Sequence, residues 1–198
     1  MKLLVFFAAF TLSAQTGEVK VDTPQVRAVV VTYQPRRATA IPQYRTNRLL
    51  IYLDDGEMSF TAPNGEVEKS AFKAGDARWS PAGPAQIREN LTTHPVRVVE
   101  IELKSAPRGF TPSALDPLNA DPKNYSLEFE NEQVRVLRVR FAAREKGVRH
   151  EHQLNHIVIY LTDHAKGPAG TVKIEGPEVH TEENPLDRAV ERIAVDLK

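Results

Sequence analysis

Apolar residues in this chain occur in short runs separated by turn residues. Segments such as RAVVVTY, RLLIYL and VRVVEIEL are rich in β-branched and aromatic residues, and clusters of Asp, Gly, Pro and Asn stand between them. Runs of this length with these boundaries are typical of β-strands. Helical spacing is weak except in DRAVERIAV, which aligns with the strand-like segment PVRVVEI. The pattern predicts an all-β protein with antiparallel sheets.

Two turn dipeptides lie between the strand-like runs. Asp55-Gly56 and Asn64-Gly65 are of the Asp-Gly and Asn-Gly kinds that favour tight hairpins. We therefore expect a hairpin at each of them.

The sequence repeats itself. Residues 25–55 align without a gap on residues 133–163, 108 positions later, and ten of the 31 positions are identical. Residues 90–104 align on residues 184–198 at an offset of 94. The alignment predicts two copies of one unit. Each unit alone has little core, so we expect the two to pack together.

The predicted boundaries follow from these alignments. The N-terminal domain spans 17–104, a linker rich in Pro, Ser, Asn and Asp spans 105–124, and the C-terminal domain spans 125–198. The offset falls from 108 to 94, so the second copy is shorter by 14 residues. It should lack about one hairpin. An open sheet edge of this kind could be covered by a second copy of the chain in a homo-oligomer.

Composition narrows the function. Twenty-six Lys and Arg residues balance 26 Asp and Glu residues, and the isoelectric point is near 7.0. Without a field of one sign, nucleic acid and an anionic membrane surface are disfavoured as partners. The chain has no cysteine, which excludes disulfides, thiolate metal sites and a lipid-modified N-terminal cysteine.

The N-terminus has the form of a secretory signal. Lys2 precedes the apolar run Leu3 to Phe10, and the small residues Ser13 and Ala14 follow. This order of charge, apolar run and small residues is typical of a cleaved signal peptide. We expect residues 1–14 to be removed and the protein to be exported, to the periplasm or outside the cell. A buried first strand is the alternative.

Histidines are concentrated in the segment RHEHQLNH, residues 149–156. It holds His150, His152 and His156, half of the six histidines in the chain. They could bind a metal ion or simply form a polar strand end. The first copy has Pro42, Tyr44 and Arg48 at these positions, so the strands do not require imidazoles. The comparison favours a functional role.

Two motifs in this sequence resemble those of the cupin superfamily in its two-domain, bicupin form. The first family motif, His-x-His followed by a Glu or His, matches HEHQLNH with His156 at the Glu position. The second motif matches residues 75–90 in spacing, but Gln86 stands where the family has a metal-binding histidine. In the second copy His180 occupies that place. The resemblance implies two double-stranded β-helix (jelly-roll) domains, with metal ligands only in the C-terminal one.

The resemblance also implies a cofactor and a class of function. One divalent metal ion (Fe, Mn, Zn, Ni or Cu) would be held by His150, His152, His156 and His180, and imidazole suits these ions. His150 and His152 point to the same face of a strand, and Glu151 points to the other. The leading hypothesis is an exported bicupin that binds a small organic molecule and acts as a metal-dependent oxidoreductase or isomerase. The alternative is a non-catalytic binding or scaffold protein with a structural or lost metal site.

Overall fold

The computed structural model describes residues 17–198. The predicted signal peptide, residues 1–14, lies outside the described residues. The described chain contains sixteen β-strands and one short helix. In this part of the chain, no helix has the length and apolar character needed to cross a membrane. The prediction of an all-β protein is confirmed.

The N-terminal unit contains nine strands in two antiparallel sheets. They are β1 (Gly17–Asp22), β2 (Val26–Tyr33), β3 (Ala38–Ile41), β4 (Arg48–Tyr52), β5 (Gly56–Thr61), β6 (Val67–Phe72), β7 (Ala77–Ser80), β8 (Gln86–Asn90) and β9 (Val96–Leu103). One sheet has the order β1-β2-β9-β4-β7 and the other the order β3-β8-β5-β6. Side chains such as Tyr33, Leu50 and Met58 are buried in a cluster of their own. We call this unit the N-terminal barrel.

The C-terminal unit contains the helix and seven strands. They are α1 (Pro117–Ala120), β10 (Tyr125–Glu130), β11 (Val134–Phe141), β12 (His150–His152), β13 (His156–Tyr160), β14 (Val172–Glu175), β15 (Glu178–His180) and β16 (Val190–Leu197). One sheet has the order β10-β11-β16-β13-β14, and β12 pairs with β15 alone. We call this unit the C-terminal barrel.

The two barrels share their strand pairing. Gly17 pairs with Val31 and Tyr125 with Val139, so the first pairing of each barrel has the same register 108 residues apart. Each of these pairings also has an irregularity at the corresponding place, between residues 19 and 21 and between residues 127 and 129. The second barrel has no counterpart of the β5–β6 hairpin between β13 and β14. The predicted shortening by one hairpin is confirmed.

One of the two predicted tight hairpins is confirmed. Strands β5 and β6 pair directly, and the Ala62 N–H donates to the Glu66 carbonyl across the turn at 2.8 Å. Gly65 has a φ of +86°, a conformation that glycine adopts without strain. The Asn64 side chain accepts a hydrogen bond from the Glu66 N–H at 3.1 Å, which fixes the turn.

The prediction of a hairpin at Asp55-Gly56 is wrong. These residues connect β4 and β5, which lie in different sheets. The Asp55 carboxylate accepts hydrogen bonds from the Ala74 N–H at 2.9 Å and from Lys73 at 2.8 Å. The dipeptide therefore forms a corner between the sheets, because the strands on either side of it pair with other partners.

The largest apolar core lies between the two barrels. The five-stranded sheets contribute one cluster of buried side chains, which includes Val26, Leu49, Ile51, Ile101, Val134, Ile157, Ile159 and Ile193. Each fully buried aliphatic side chain of this size contributes roughly 1.5–3 kcal/mol. The expectation that the two units pack together is confirmed.

Reciprocal polar contacts border this core. Asn47 donates to Gln133 at 2.5 Å, and Asn155 donates to Gln25 at 3.1 Å. The members of each pair come from different barrels and are offset by 108 residues. The two barrels therefore contact each other through the same positions, related by an approximate twofold arrangement.

The segment 105–124, predicted as a linker, lies against the C-terminal barrel. The Ser113 hydroxyl donates to Glu151 at 2.7 Å, and Asp116 forms an ion pair with Arg135 at 2.6 Å. The Arg135 guanidinium also lies 4.8 Å from the centre of the Phe110 ring. These contacts cover one end of the C-terminal barrel.

Candidate metal centre

Three of the predicted ligands meet where β12 pairs with β15. His150 lies directly opposite His180, and His152 is two residues further along β12 on the same face. Glu151 points away from them and bonds to Ser113, as the alternation of a strand requires. His150 and His152 are almost completely buried, whereas His180 is half-buried. One ligand atom from each of the three rings lies within 4.8 Å of the others.

Hydrogen bonds fix the orientation of two of these rings. His150 Nδ1 lies 2.8 Å from the Val148 carbonyl, and His180 Nδ1 lies 2.9 Å from a Glu178 carboxylate oxygen. Both partners are acceptors, so each Nδ1 carries the proton and each Nε2 presents its lone pair. The two Nε2 atoms face each other at 2.9 Å. Two lone pairs this close repel unless a cation, either a proton or a metal ion, lies beside both.

The buried environment disfavours the proton. Burial lowers the pKa of His150. Burial, together with the neighbouring rings of His156, His150 and His180, lowers the pKa of His152 to about 2. Among the described residues, His152 Nδ1 is also buried without a hydrogen-bond partner. The neutral imidazoles that a metal requires are therefore the favoured forms here.

His156 belongs to a second, overlapping group. It lies on β13, its ring stacks on that of His152 at 4.4 Å between centres, and it forms a possible ligand set with His152 and Asp196. Its Nδ1 lies 3.2 Å from the Leu154 carbonyl, and its Nε2 lies 3.5 Å from Glu175. The structure thus divides the four predicted ligands into two groups that share His152.

Asp196 was not predicted from the sequence. It is buried on β16 in register with His156, and Arg135 contacts one of its oxygens at 2.9 Å. Its other oxygen has no hydrogen-bond partner in the described part of the chain. Burial raises the pKa of Asp196 despite the opposing charge of Arg135. The one available sequence signal was Glu102, an acidic residue at the corresponding position of the first copy.

A buried polar triad supports His150 from behind. The Tyr125 hydroxyl lies 3.0 Å from His150 Nε2 and donates to Glu182 at 2.9 Å, and Glu182 pairs with Arg192. Burial opposes the charged form of Glu182, but Arg192 outweighs it and lowers the pKa of Glu182 to about 2. Because the single hydroxyl proton goes to Glu182, the Tyr125 oxygen presents a lone pair to His150. Sequence reasoning named Tyr160 as a nearby candidate base; that ring stacks on His164 at 4.9 Å.

The N-terminal barrel has different chemistry at the corresponding positions. Tyr44 and Gln86 stand in place of His152 and His180, and they lie 3.1 Å apart through the Tyr44 hydroxyl and the Gln86 amide. The Tyr44 hydroxyl also bonds to Ser80. These groups lack imidazole nitrogens, in agreement with the sequence-based expectation that metal ligands occur only in the C-terminal barrel.

Comparison with known proteins identifies the fold. No family model matches the sequence. No curated protein matches it either. Among solved structures, AerE from Microcystis aeruginosa superimposes with a TM-score of 0.65 at 8% identity, covering 93% of this chain and 98% of that one.

Two further structures lead to the same conclusion. A cupin 2 conserved barrel domain protein from Leptotrichia buccalis gives a TM-score of 0.57 at 10% identity, over 95% of this chain and 91% of that one. A variant of oxalate decarboxylase from Bacillus subtilis gives 0.59 at 9% identity, over 88% and 69%. The chain therefore has the fold of the cupin superfamily, in a two-domain form, and carries a histidine cluster that could hold a metal ion.

Proposed function

We propose that this two-domain cupin binds one divalent metal ion in its C-terminal barrel through His150, His152 and His180. His156 and Asp196 lie on the far side of His152 and complete the polar environment. The observation that carries the proposal is the 2.9 Å approach of two Nε2 atoms whose protons are both on Nδ1. Two nitrogens at right angles around one ion, each about 2.1 Å from it, lie about 3.0 Å apart. The observed separation fits that arrangement.

The metal would supply Lewis acidity, or a site for O2 if it is redox-active. The protein contributes the orientation of its ligands. Glu178 and the Val148 carbonyl hold the His180 and His150 rings, and such partners commonly set both the tautomer and the affinity of a metal site. Tyr125 and Glu182 place a hydroxyl beside His150 that cannot turn away without breaking a buried hydrogen bond.

Substrate would approach from the side of β15. His180 is the most exposed of the three ligands, and β15 pairs only with β12 because this barrel lacks the hairpin of its neighbour. Val179 and Val148 lie at this wall with 44% and 53% of their surface exposed. A small organic molecule with oxygen ligands for the metal and an apolar portion for this wall fits the site. The same open edge could accept a second copy of the chain, which light scattering of the purified protein would detect.

We place this activity outside the cytoplasm. The support is the sequence of residues 1–14, with its single lysine, apolar run and small-residue end. In this setting the protein would take up its metal during or after export.

Metal analysis tests the proposal. Metal-free protein is reconstituted separately with Mn, Fe(II), Ni, Cu and Zn and freed of unbound ion, and metal is counted per chain. We expect one equivalent of at least one of these ions. His150→Ala combined with His152→Ala should abolish binding, and His94→Ala, an exposed histidine outside the cluster, should not change it. Two equivalents per chain, or none, would contradict the proposal.

Catalysis is tested next. The loaded protein is incubated with small hydroxy and keto acids, and O2 consumption and substrate isomerisation are followed. Turnover that disappears in the double histidine variant supports a metal-dependent oxidoreductase or isomerase.

A non-catalytic binding protein is the second candidate. Tyr125, His150 and His180 already contact one another at hydrogen-bond distance, so a proton could replace the metal as the shared cation. That alternative predicts a protein that takes up no metal and has the same stability in the presence and absence of the ions.

A further inference from the structure

The N-terminal barrel contains a cavity at the end that corresponds to the covered end of the C-terminal barrel. The cavity has a volume of about 220 Å³. It is lined by residues of β2, β4 and β9, among them Val29, Val31, Arg48 and Glu100. Its volume is below the common range for drug-sized ligands, roughly 300–1,000 Å³, so it suits a molecule of few atoms.

The two barrels match at this end. Arg48 on β4 pairs in register with Glu102 on β9, as His156 on β13 pairs with Asp196 on β16. In the C-terminal barrel, segment 105–124 covers this end by contacts such as the Asp116–Arg135 ion pair. The cavity of the N-terminal barrel thus lies where its neighbour has its second histidine group.

The charged groups around this cavity carry an excess positive charge. Arg48 contacts Glu100 at 3.2 Å, and Arg88, which is almost fully buried, contacts the same carboxylate at 2.9 Å. One carboxylate therefore serves two guanidinium groups. Glu102 adds a second negative charge, but Arg27 lies directly opposite it in the β2–β9 pairing. The described lining together with Arg88 carries a net charge of +1.

The residues before Gly17 do not supply the missing negative charge. The segment MKLLVFFAAFTLSAQT contains no Asp or Glu. A buried or half-buried positive charge is costly unless it is paired. The geometry of the cavity therefore favours a bound anion.

Arg48 has donors to offer that anion. Its contact with Glu100 is at the long end of the hydrogen-bond range, and its Nε has no hydrogen-bond partner in residues 17–198. The guanidinium lies 4.4 Å from the centre of the Tyr44 ring, which holds it by a cation–π contact. The planar fork of arginine matches a carboxylate, which it can bind through two parallel hydrogen bonds.

We propose that the N-terminal barrel binds a small monocarboxylate, with its carboxylate at Arg48 and a short apolar chain against Val29 and Val31. The protein would then have two sites of opposite character, neutral imidazoles for a cation in one barrel and guanidinium groups for an anion in the other. The proposal is independent of the metal, because it depends on residues of the N-terminal barrel alone.

Isothermal titration with propionate tests the proposal. The protein is stripped of metal on a chelating resin and dialysed into a carboxylate-free buffer, so that no metal-bound carboxylate contributes heat. We expect saturable binding of one propionate per chain. Propionamide, which has the same shape but no charge, should bind at least tenfold more weakly. Equal binding of propionamide, or tighter binding of the zwitterion alanine, would overturn the assignment of a monocarboxylate.

Variants locate the site. Arg48→Gln should weaken propionate binding at least tenfold, and Arg48→Lys should weaken it less, because the charge remains and only the fork is lost. Arg45→Gln, an exposed arginine three residues away, should bind as the parent does within twofold. Circular dichroism checks that each variant is folded. Propionate binding that survives Arg48→Gln in a folded protein would refute the proposal, and so would the absence of saturable binding to the parent protein.

Discussion

Buried His152 should make the metal-free protein sensitive to acid. Its pKa in the folded protein is lowered to about 2, largely by burial and then by the neighbouring histidines. In the unfolded chain the pKa of a histidine is near ~6.5. Below that pH the unfolded state takes up a proton that the folded state does not accept, so the folded state loses stability as the pH falls. Above pH ~6.5 both states are neutral at this residue, and its contribution no longer changes.

The magnitude follows from the two pKa values. Each pH unit between them corresponds to about 1.4 kcal/mol, so the free energy of unfolding should fall by about 2 kcal/mol between pH 7.5 and pH 5 from His152 alone. His150, whose pKa is also lowered, adds to this loss in the same direction. For a protein of this size about 2 kcal/mol corresponds to roughly 4–8 °C in melting temperature.

Urea unfolding of metal-free protein at the two pH values measures this effect. His152→Asn removes the titrating group, so its loss of stability between pH 7.5 and pH 5 should be smaller than that of the parent by about 2 kcal/mol. His94→Asn, a change at an exposed histidine, serves as the matched control. If the parent and His152→Asn lose the same stability over this range, His152 is not held neutral in the folded protein, and the reasoning is refuted.

Three further predictions concern the core, the support of the metal and the N-terminus. Ile51→Ala, in the core between the barrels, should lower the free energy of unfolding by about 2–5 kcal/mol, whereas Ile87→Ala, 41% exposed, should cost less than about 0.5 kcal/mol; similar values in urea unfolding would contradict the assignment of the core. Glu182→Gln should weaken metal binding by about 10–100-fold in a chelator competition titration, because the Tyr125 link to His150 loses its carboxylate partner, and unchanged affinity would argue against this support. Intact-mass analysis of the extracytoplasmic protein should show a new N-terminus near Gln15, and full-length protein confined to the cytoplasm would contradict export.

Local sequence patterns were sufficient to predict most of the fold. The β-branched runs predicted the strands, and the change in alignment offset predicted the missing hairpin, since both are properties of neighbouring residues. The prediction at Asp55-Gly56 failed because a turn dipeptide does not specify which strands pair on either side of it. That choice depends on contacts between residues distant in the sequence.

The same distinction applies to the candidate site. His150 and His152 could be placed on one face from their spacing alone, because strand alternation is local. Tyr125 and Glu182 are 57 residues apart and meet only through the topology of the barrel. Asp196 likewise reaches the histidines through the pairing of β13 with β16. These residues have no motif of their own, so they could be recognised only once the strands were in place.

X-ray absorption spectroscopy of the metal-loaded protein tests the central claim most directly, because it reports the atoms bound to the ion. If His150, His152 and His180 hold the metal, the first shell contains nitrogen at about 2.0–2.2 Å, with the outer-shell scattering of at least three imidazole rings. His150→Ala should remove one ring from that count or abolish loading. A first shell of oxygen without imidazole scattering would contradict the account, because the metal would then lie outside the histidine cluster.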